Sequence, residues 1–318
     1  MAEQSQNSSP GQASTTESKT STRPPPRHAT SFPEGHGDFA LLSGDHEAVV
    51  FHISKFLLGY ASPVFSDMFN LGPVSTPETA SGDTDASTQS PQVLQVTESA
   101  RTLDEILRHI DPRQMILPMN ELSIGALLEA ARKYQLGIIM EWFKAESMKF
   151  YEFPNNPIPG KSLMSRNPLL VLALAAEYDM PSLAQQAACA IIGGEATLLQ
   201  ADANMPLKLY RHVSGLRQAR IQWYLQLIGT VANKRHRGKP VQPAICTMCS
   251  NTRSSWIHEL METVFVAPTW KRFMAEVNSS LRRCKPGCGE WSAQVEEDMM
   301  VWSHEAAVLE SHLPQLPF

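Results

Sequence analysis

The hydrophobic pattern between residues 37 and 71 predicts two short strands followed by two short helices. Residues 39–42 and 48–52 are apolar segments separated by a Ser-Gly-Asp turn, which is typical of two strands joined by a tight connection. The apolar positions of the first helix are Phe56, Leu57 and Tyr60. A second helix is expected to begin at Ser62-Pro63, because serine caps a helix N-terminus and proline fits its first turn.

The pattern is lost between residues 72 and 92, where Pro, Ser, Thr, Gly and acidic residues predict a flexible insertion. Residues 93–96 then predict a third strand. Thr102 and Glu105 match a capping box at the start of a helix, which is expected to stop at Asp111-Pro112. Two more helices are predicted from apolar faces, one with Ile124, Leu127, Leu128 and Ala131 and one with Ile138, Trp142 and Ala145.

From residue 160 onward the pattern predicts helices only. Asn167-Pro168 and Pro181-Ser182 are typical helix starts, and the second of these helices is expected to end at Gly193. A longer helix is predicted around residues 221–228. Further helices are expected around Trp256, Trp270 and Trp302.

Composition places the chain among ordinary globular proteins. The 318 residues are 42% hydrophobic and 19% charged, which leaves room for two domains. Residues 1–35 are rich in Ser, Thr, Gln and Pro and predict a disordered tail. A formal net charge of −5 gives no global case for nucleic-acid binding. The N-terminus has no secretory signal and no apolar run would cross a bilayer, so we expect an intracellular protein of the nucleus or cytoplasm.

Several of these segments together are similar to one known family. They comprise the strand turn of residues 38–45, Phe51-His52, the run Ser62-x-x-Phe65-x-x-Met68-Phe69, and the helix segment 130–134. The set resembles the BTB/POZ domain over roughly residues 36–150. The long insertion and Leu117-Pro118 resemble the fungal branch of that family.

The resemblance implies an α+β BTB/POZ-like domain over residues 36–150, interrupted by the insertion at 72–92, and an all-α C-terminal region over 160–318. It also implies a non-enzymatic adaptor that binds proteins, self-associates, and in some members presents substrates to a cullin ubiquitin ligase. Physical reasoning points the same way, because a small sheet has exposed edges and cannot cover the apolar first helix. The rival cover for that helix is the chain's own C-terminal half.

Two cysteine pairs are the most chemical feature of the sequence. Cys246 and Cys249 form one pair, and Cys284 and Cys288 form the other. Two such pairs suit a tetrahedral structural zinc site, and buried or free thiols are the alternative. The zinc interpretation supports a second hypothesis, a nuclear regulatory factor with a C-terminal four-cysteine zinc site. The basic run at 234–239 is either a nuclear-import or nucleic-acid contact, or a solvated loop.

No constellation in the sequence predicts catalysis. The sequence has no Gly-x-Ser-x-Gly elbow, no Walker loop and no dinucleotide-binding glycine turn. His304-Glu305 fails as a zinc-protease motif, because Val308 occupies the position of the second histidine. His52 is expected to pack at a strand–helix junction, and Cys189 is expected in a helix core. The tryptophans are interpreted as core or interface anchors.

Overall fold

The computed structural model describes residues 25–71, 93–149, 162–195, 205–233, 247–283, 289–312 and 314–316. Side chains are described for all of these except 230–233, 247–255, 280–283 and 289–297. The chain divides into two compact units, Met1–Pro118 (unit 1) and Met119–Phe318 (unit 2). This boundary precedes the predicted one near residue 150, and a single module over residues 36–150 stays a prediction. The predicted insertion at 72–92 lies outside the described residues.

Unit 1 contains a small mixed sheet. Its strands are β1 (Arg27–His28), β2 (Phe39–Leu42), β3 (Val49–Ile53) and β4 (Val93–Gln95), in the order β1-β3-β2-β4. The predicted hairpin is confirmed, since β2 and β3 pair antiparallel with Leu41 opposite Phe51. The outer pairs, β1 with β3 and β2 with β4, are parallel. A sheet combined with helices agrees with the α+β class.

The first strand differs from the sequence expectation. Composition predicts that residues 25–35 belong to a disordered tail, but the structure places them along the sheet and α3 side of unit 1, with Phe32 fully buried. The Ala29 N–H donates to Val50 O and the His52 N–H donates to Phe32 O. A strand of two residues is too short to show a hydrophobic periodicity. The polar composition of the segment therefore led to the wrong prediction. Residues 1–24 of the predicted tail lie outside the described residues.

Two glycines allow the chain to approach itself closely near the hairpin. A Cβ on Gly37 would lie 2.0 Å from the carbonyl carbon of Ile53. A Cβ on Gly44 would lie 2.6 Å from Thr97 O. Any other residue at these two positions would therefore push the backbone apart.

Three helices complete unit 1: α1 (Lys55–Ala61), α2 (Pro63–Asn70) and α3 (Ala100–Ile110). The cap predicted at Ser62 is confirmed, because its side chain accepts a hydrogen bond from the Phe65 N–H. The predicted capping box at Thr102 and Glu105 is wrong. α3 begins one turn earlier, where Ser99 accepts from the Thr102 N–H. The predicted stop at Asp111 is confirmed.

Unit 2 consists of helices and connections in its described residues. The helices are α4 (Ile124–Lys133), α5 (Gly137–Met148), α6 (Leu163–Arg166), α7 (Pro168–Glu177), α8 (Pro181–Gly193), α9 (Leu207–Asn233), α10 (Thr247–Val266), α11 (Trp270–Arg283) and α12 (Gly289–Ser311). The helical prediction for 160–318 is confirmed there, including the cap at Asn167. The predicted face of α5 is one residue out of place, since Ile139 and Phe143 are buried while Ile138 is exposed.

The core of unit 2 is built around α7, α8 and α9. α7 is apolar on nearly all sides and packs against the small side chains of α8, such as Ala184 and Ala188. A second cluster joins α9 to the three helices that follow it, with Tyr224, Trp256 and Phe273 at its centre. None of the described helices combines the length and the apolarity needed to cross a membrane.

Candidate interaction surface

The most exposed aromatic side chains of unit 1 lie together on α1. Phe56 is 75% exposed and Tyr60 is 84% exposed, one helical turn apart. Their rings lie 6.3 Å apart between centroids with an angle of 20° between the planes. Leu58 is fully buried and holds the opposite side of the helix against the core. We call Phe56 and Tyr60 the aromatic pair.

The helix that carries the aromatic pair is firmly fixed at both ends. At its start, the Lys55 N–H donates to Asp38 Oδ1 at 2.7 Å, and the Lys55 ammonium lies 4.8 Å from the centre of the Phe69 ring. At its end, the Ser62 N–H donates to Leu58 O, while the Ser62 hydroxyl caps α2. One residue thus closes α1 and opens α2. The aromatic pair is therefore presented on a rigid corner rather than on a loop.

A polar cluster fixes the segment before β2. His36 Nε2 donates to Asp111 Oδ2 at 2.8 Å, and Arg113 Nη2 lies 2.8 Å from the same carboxylate oxygen. Asp111 is fully buried, and its hydrogen bonds from Arg113 hold the pKa of its carboxyl far below the ordinary value. A buried carboxylate of this kind stays ionised because its donors replace water. The cluster ties the segment before β2 to the end of α3.

A second polar contact joins the same segment to β3. His28 Nδ1 and His52 Nε2 lie 3.2 Å apart. His52 is only 4% exposed, which agrees with the expectation that it packs inside the domain. Burial is the main cause that lowers the pKa of His52, and the neighbouring His28 lowers it further. The Ser31 hydroxyl also donates to the Asp104 carboxylate on α3. These contacts define the N-terminal strap, residues 27–36.

Among the described side chains of unit 2, the buried charged residues are arginines. Arg217 on α9 is 3% exposed, and its guanidinium donates to the carbonyls of Ile191, Ile192 and Gly194 at the end of α8. It also donates to Phe265 O and Val266 O at the end of α10. The C-terminal end of a helix carries partial negative charge and unpaired carbonyls, so one cation stabilises both ends. Burial and the nearby Arg220 lower the pKa of Arg217.

A carboxylate makes the complementary contact in unit 2. Glu310 Oε1 accepts a hydrogen bond from the Trp270 N–H at 2.6 Å, at the start of α11. The same oxygen accepts from Tyr224 Oη at 3.0 Å. Burial and this carboxylate raise the pKa of Tyr224 far above its ordinary value. Glu310 therefore supplies the negative charge that a helix N-terminus favours.

The predicted zinc ligands are outside what the structure describes. Cys246, Cys284 and Cys288 lie outside the described residues, and Cys249 lies in α10 with its side chain outside them. The four-cysteine zinc site therefore stays a prediction, as does the role of the basic run at 234–239. Within the described part of the chain, no three or more His, Cys, Asp or Glu side chains are grouped to hold a metal.

The other residues singled out in the sequence have ordinary positions. Cys189 is half-buried on α8, and burial raises the pKa of its thiol. Trp256 is buried, whereas Trp223, Trp270 and Trp302 are half-buried around the same cluster, as expected for anchors. The side chain of Trp291 is outside the described set. His304 is exposed on α12.

Sequence reasoning missed the strap histidines and both helix-end ligands of unit 2. The sequence indicates Asp111 only as a helix stop, because it does not show that this side chain is buried. For Arg217 one signal existed. Arg217, Arg220 and Tyr224 follow helical spacing on the same side of α9 as apolar Val213, Ile221 and Ile228, and a charge on an apolar face is typical of a buried ligand.

The comparisons with known proteins leave the family open. No protein-family model matches the chain, and no curated protein matches it.

Proposed function

We propose that this protein is an interaction adaptor that self-associates through the aromatic pair on α1 of unit 1. The observation that carries the proposal is the exposure of Phe56 and Tyr60 on a helix whose opposite side is anchored by buried Leu58. The resemblance of residues 36–150 to a BTB/POZ domain supports the same function, because that family binds proteins and self-associates.

The chemistry of the surface suits a second copy of the chain. Tyrosine and other aromatic residues are enriched at the centres of protein interfaces, where their large rigid rings exclude water. Two exposed aromatic rings represent on the order of 300 Å² per copy, which is a fraction of the roughly 800 Å² that one partner buries in a standard interface. The aromatic pair therefore fits the centre of an interface. In a twofold dimer each pair would meet its own copy.

Unit 2 offers the surface for a different partner. Among the described side chains of α12, the large apolar residues Met300, Val301 and Val308 are exposed. An adaptor needs one surface for assembly and one for its client, and in this proposal the two units supply these separately. The resemblance also leads us to propose that the protein presents a client to a cullin ubiquitin ligase. Co-sedimentation with a purified cullin scaffold tests this role.

Sedimentation velocity of the full chain tests self-association. The full chain is required because a fragment that begins at residue 36 lacks Phe32, which is fully buried in unit 1. We expect a concentration-dependent dimer at micromolar protein. Phe56→Glu and Tyr60→Glu should weaken it at least about tenfold in Kd, which is about 1.4 kcal/mol, because each charge would meet its own copy.

A matched control separates this effect from a general effect of added charge. Leu122→Glu places the same charge at a side chain that is 94% exposed in unit 2. This variant should dimerise like the unsubstituted chain, and circular dichroism should show all three variants folded. A monomeric full chain, or a dimer that survives both substitutions on α1, would rule out the aromatic pair as the interface.

A further inference from the structure

β1 lies at the edge of the sheet and pairs with β3 at two positions. Arg27 N–H donates to Ala48 O at 3.0 Å and Ala29 N–H donates to Val50 O at 2.8 Å. The Arg27 guanidinium also pairs with Glu47 at the surface, where ion pairs contribute little. β1 has two residues, and both are exposed. The contact between His28 and His52 joins the same two strands through their side chains.

The histidine pair has the geometry of a shared proton. The ring planes differ by 19° and the ring centroids lie 5.3 Å apart. The distance between the centroids is close to the sum of the 3.2 Å nitrogen–nitrogen distance and the two centroid-to-nitrogen distances. The two nitrogens therefore lie between the rings and face each other. Two nitrogens at this distance form one hydrogen bond, in which one ring donates and the other accepts.

We propose that the His28–His52 pair is a proton-operated latch, which holds β1 on the sheet while the pair carries at most one extra proton and releases it when both rings are protonated. The latch is independent of the proposed self-association.

The two protonation steps have opposite effects on the contact. The first added proton leaves a cationic ring that still donates to a neutral ring, and such charge-assisted bonds are stronger than neutral ones. The second proton removes the acceptor and leaves two cations with N–H groups facing each other across 3.2 Å.

The surroundings of His52 determine the pH at which the second proton binds. Burial opposes its charged form, His28 opposes it as well, and the carboxylate of exposed Glu34 favours it. These are the charged groups that act on His52. The net effect lowers the pKa of His52, so the latch stays closed at neutral pH and opens in acid.

Release of β1 would uncover the outer edge of β3 without unfolding unit 1. Strand β3 would lose its parallel partner at Val49 and Val50. The rest of the strap has its own anchors, since Phe32 is buried and His36 is bonded to Asp111. An uncovered strand edge is a template for pairing with another extended segment. The latch would therefore control access to this edge.

Hydrogen exchange of the full chain tests the latch. Exchange is followed by mass spectrometry over a pH series from about 7.5 to about 4.5, which covers the histidine range, with correction for intrinsic exchange rates. We expect peptides covering residues 25–31 to lose at least tenfold protection as the pH falls, and to exchange faster than peptides of α3 around Leu103 and Leu107 at every pH, because β1 opens without unfolding unit 1.

Two variants decide the mechanism. His28→Gln keeps a side-chain oxygen that accepts from a protonated His52 but cannot itself become a cation, so it should abolish the acid-induced loss of protection. His46→Gln changes an exposed histidine in the β2–β3 loop and should leave the loss intact. The proposal is overturned if residues 25–31 keep their protection in acid, if His28→Gln still loses it, or if residues 25–31 and α3 exchange with the same protection in acid, which would mean that they open together.

Discussion

Units 1 and 2 bury polar groups for the same purpose with different chemistry. In unit 1 the buried polar side chains include His109 on α3, together with His52 and Asp111, which contact His28 and His36 of the strap. In unit 2 they include Arg217 and Arg220, which contact helix ends through main-chain carbonyls. Histidine titrates between neutral pH and moderate acid, whereas arginine keeps its charge.

The difference gives the two units different sensitivities. Unit 1 depends on groups whose charge changes with the medium, so its stability is tied to pH. Unit 2 depends on a permanent charge placed between two helix ends, so its stability depends on how closely those helix ends are held to the guanidinium. The six tryptophans all lie in unit 2, so tryptophan fluorescence reports on that unit alone.

The largest expected effect comes from removing the cation of unit 2. Arg217→Met leaves buried carbonyls at the ends of α8 and α10 without their donor, and each unsatisfied buried group costs about 1–3 kcal/mol. We expect the free energy of unfolding of unit 2 to fall by about 3–5 kcal/mol. Urea denaturation followed by tryptophan fluorescence measures it.

The control for this substitution is on the same helix. Arg211→Met makes the same change at an exposed position of α9 and should alter the unfolding free energy by less than about 0.5 kcal/mol. Equal effects of the two substitutions would mean that the five hydrogen bonds of Arg217 contribute nothing to stability.

An intermediate effect is expected from acid on unit 1. Burial lowers the pKa of His109 to about 4, below the ordinary histidine value near 6.5, and it also lowers the pKa of His52. Between these pKa values the unfolded chain binds more protons than the folded one. Stability is therefore full above about pH 6.5 and is lost as the pH falls towards 4, by on the order of 2 kcal/mol for His109.

Hydrogen exchange in α3 measures this loss, and tryptophan fluorescence serves as the internal comparison. The unfolding free energy of unit 2 should change less over the same pH range. His109→Leu should flatten the pH dependence of unit 1, whatever it does to stability at neutral pH. If acid lowered the unfolding free energies of the two units equally, unit 1 would not be the more pH-sensitive unit.

The smallest effect is expected at the start of α11. Glu310→Gln keeps an oxygen that accepts from Trp270 and Tyr224 but removes the negative charge, which should cost unit 2 about 1 kcal/mol. Glu305→Gln makes the same change at an exposed position of α12 and should be neutral. Thermal unfolding monitored by tryptophan fluorescence compares the two variants. Indistinguishable unfolding midpoints would show that the charge of Glu310 does not stabilise unit 2.

Local signals explain what the sequence predicted well. The helix starts at Ser62 and Asn167 were predictable because a cap and the N–H it binds are three residues apart. The β2–β3 hairpin was predictable for the same reason, since its strands are joined by a short turn. The aromatic helix α1 was predicted too, although the sequence did not show that Leu58 is buried while Phe56 is exposed.

Distant contacts explain what the sequence missed. β1 has only two residues, and it pairs with β3, which starts 22 positions after Arg27. No hydrophobic pattern therefore predicts β1. Buried Asp111 is bonded to His36, which is 75 residues away. The ligands of Arg217 are 23 to 49 residues distant along the chain. Main-chain carbonyls have no sequence signature, so only the folded structure identifies them as partners.

The position of Glu310 along the chain affects how the protein is made. Its bond to Tyr224 joins residues 86 positions apart, and its bond to Trp270 joins residues 40 positions apart. A nascent chain on the ribosome cannot form either bond before residue 310 has emerged, whereas every strap contact in unit 1 is available once Arg113 and Gln114 are out. Unit 1 can therefore finish folding during synthesis, while the Glu310 contacts of unit 2 form only after residue 310 has been made.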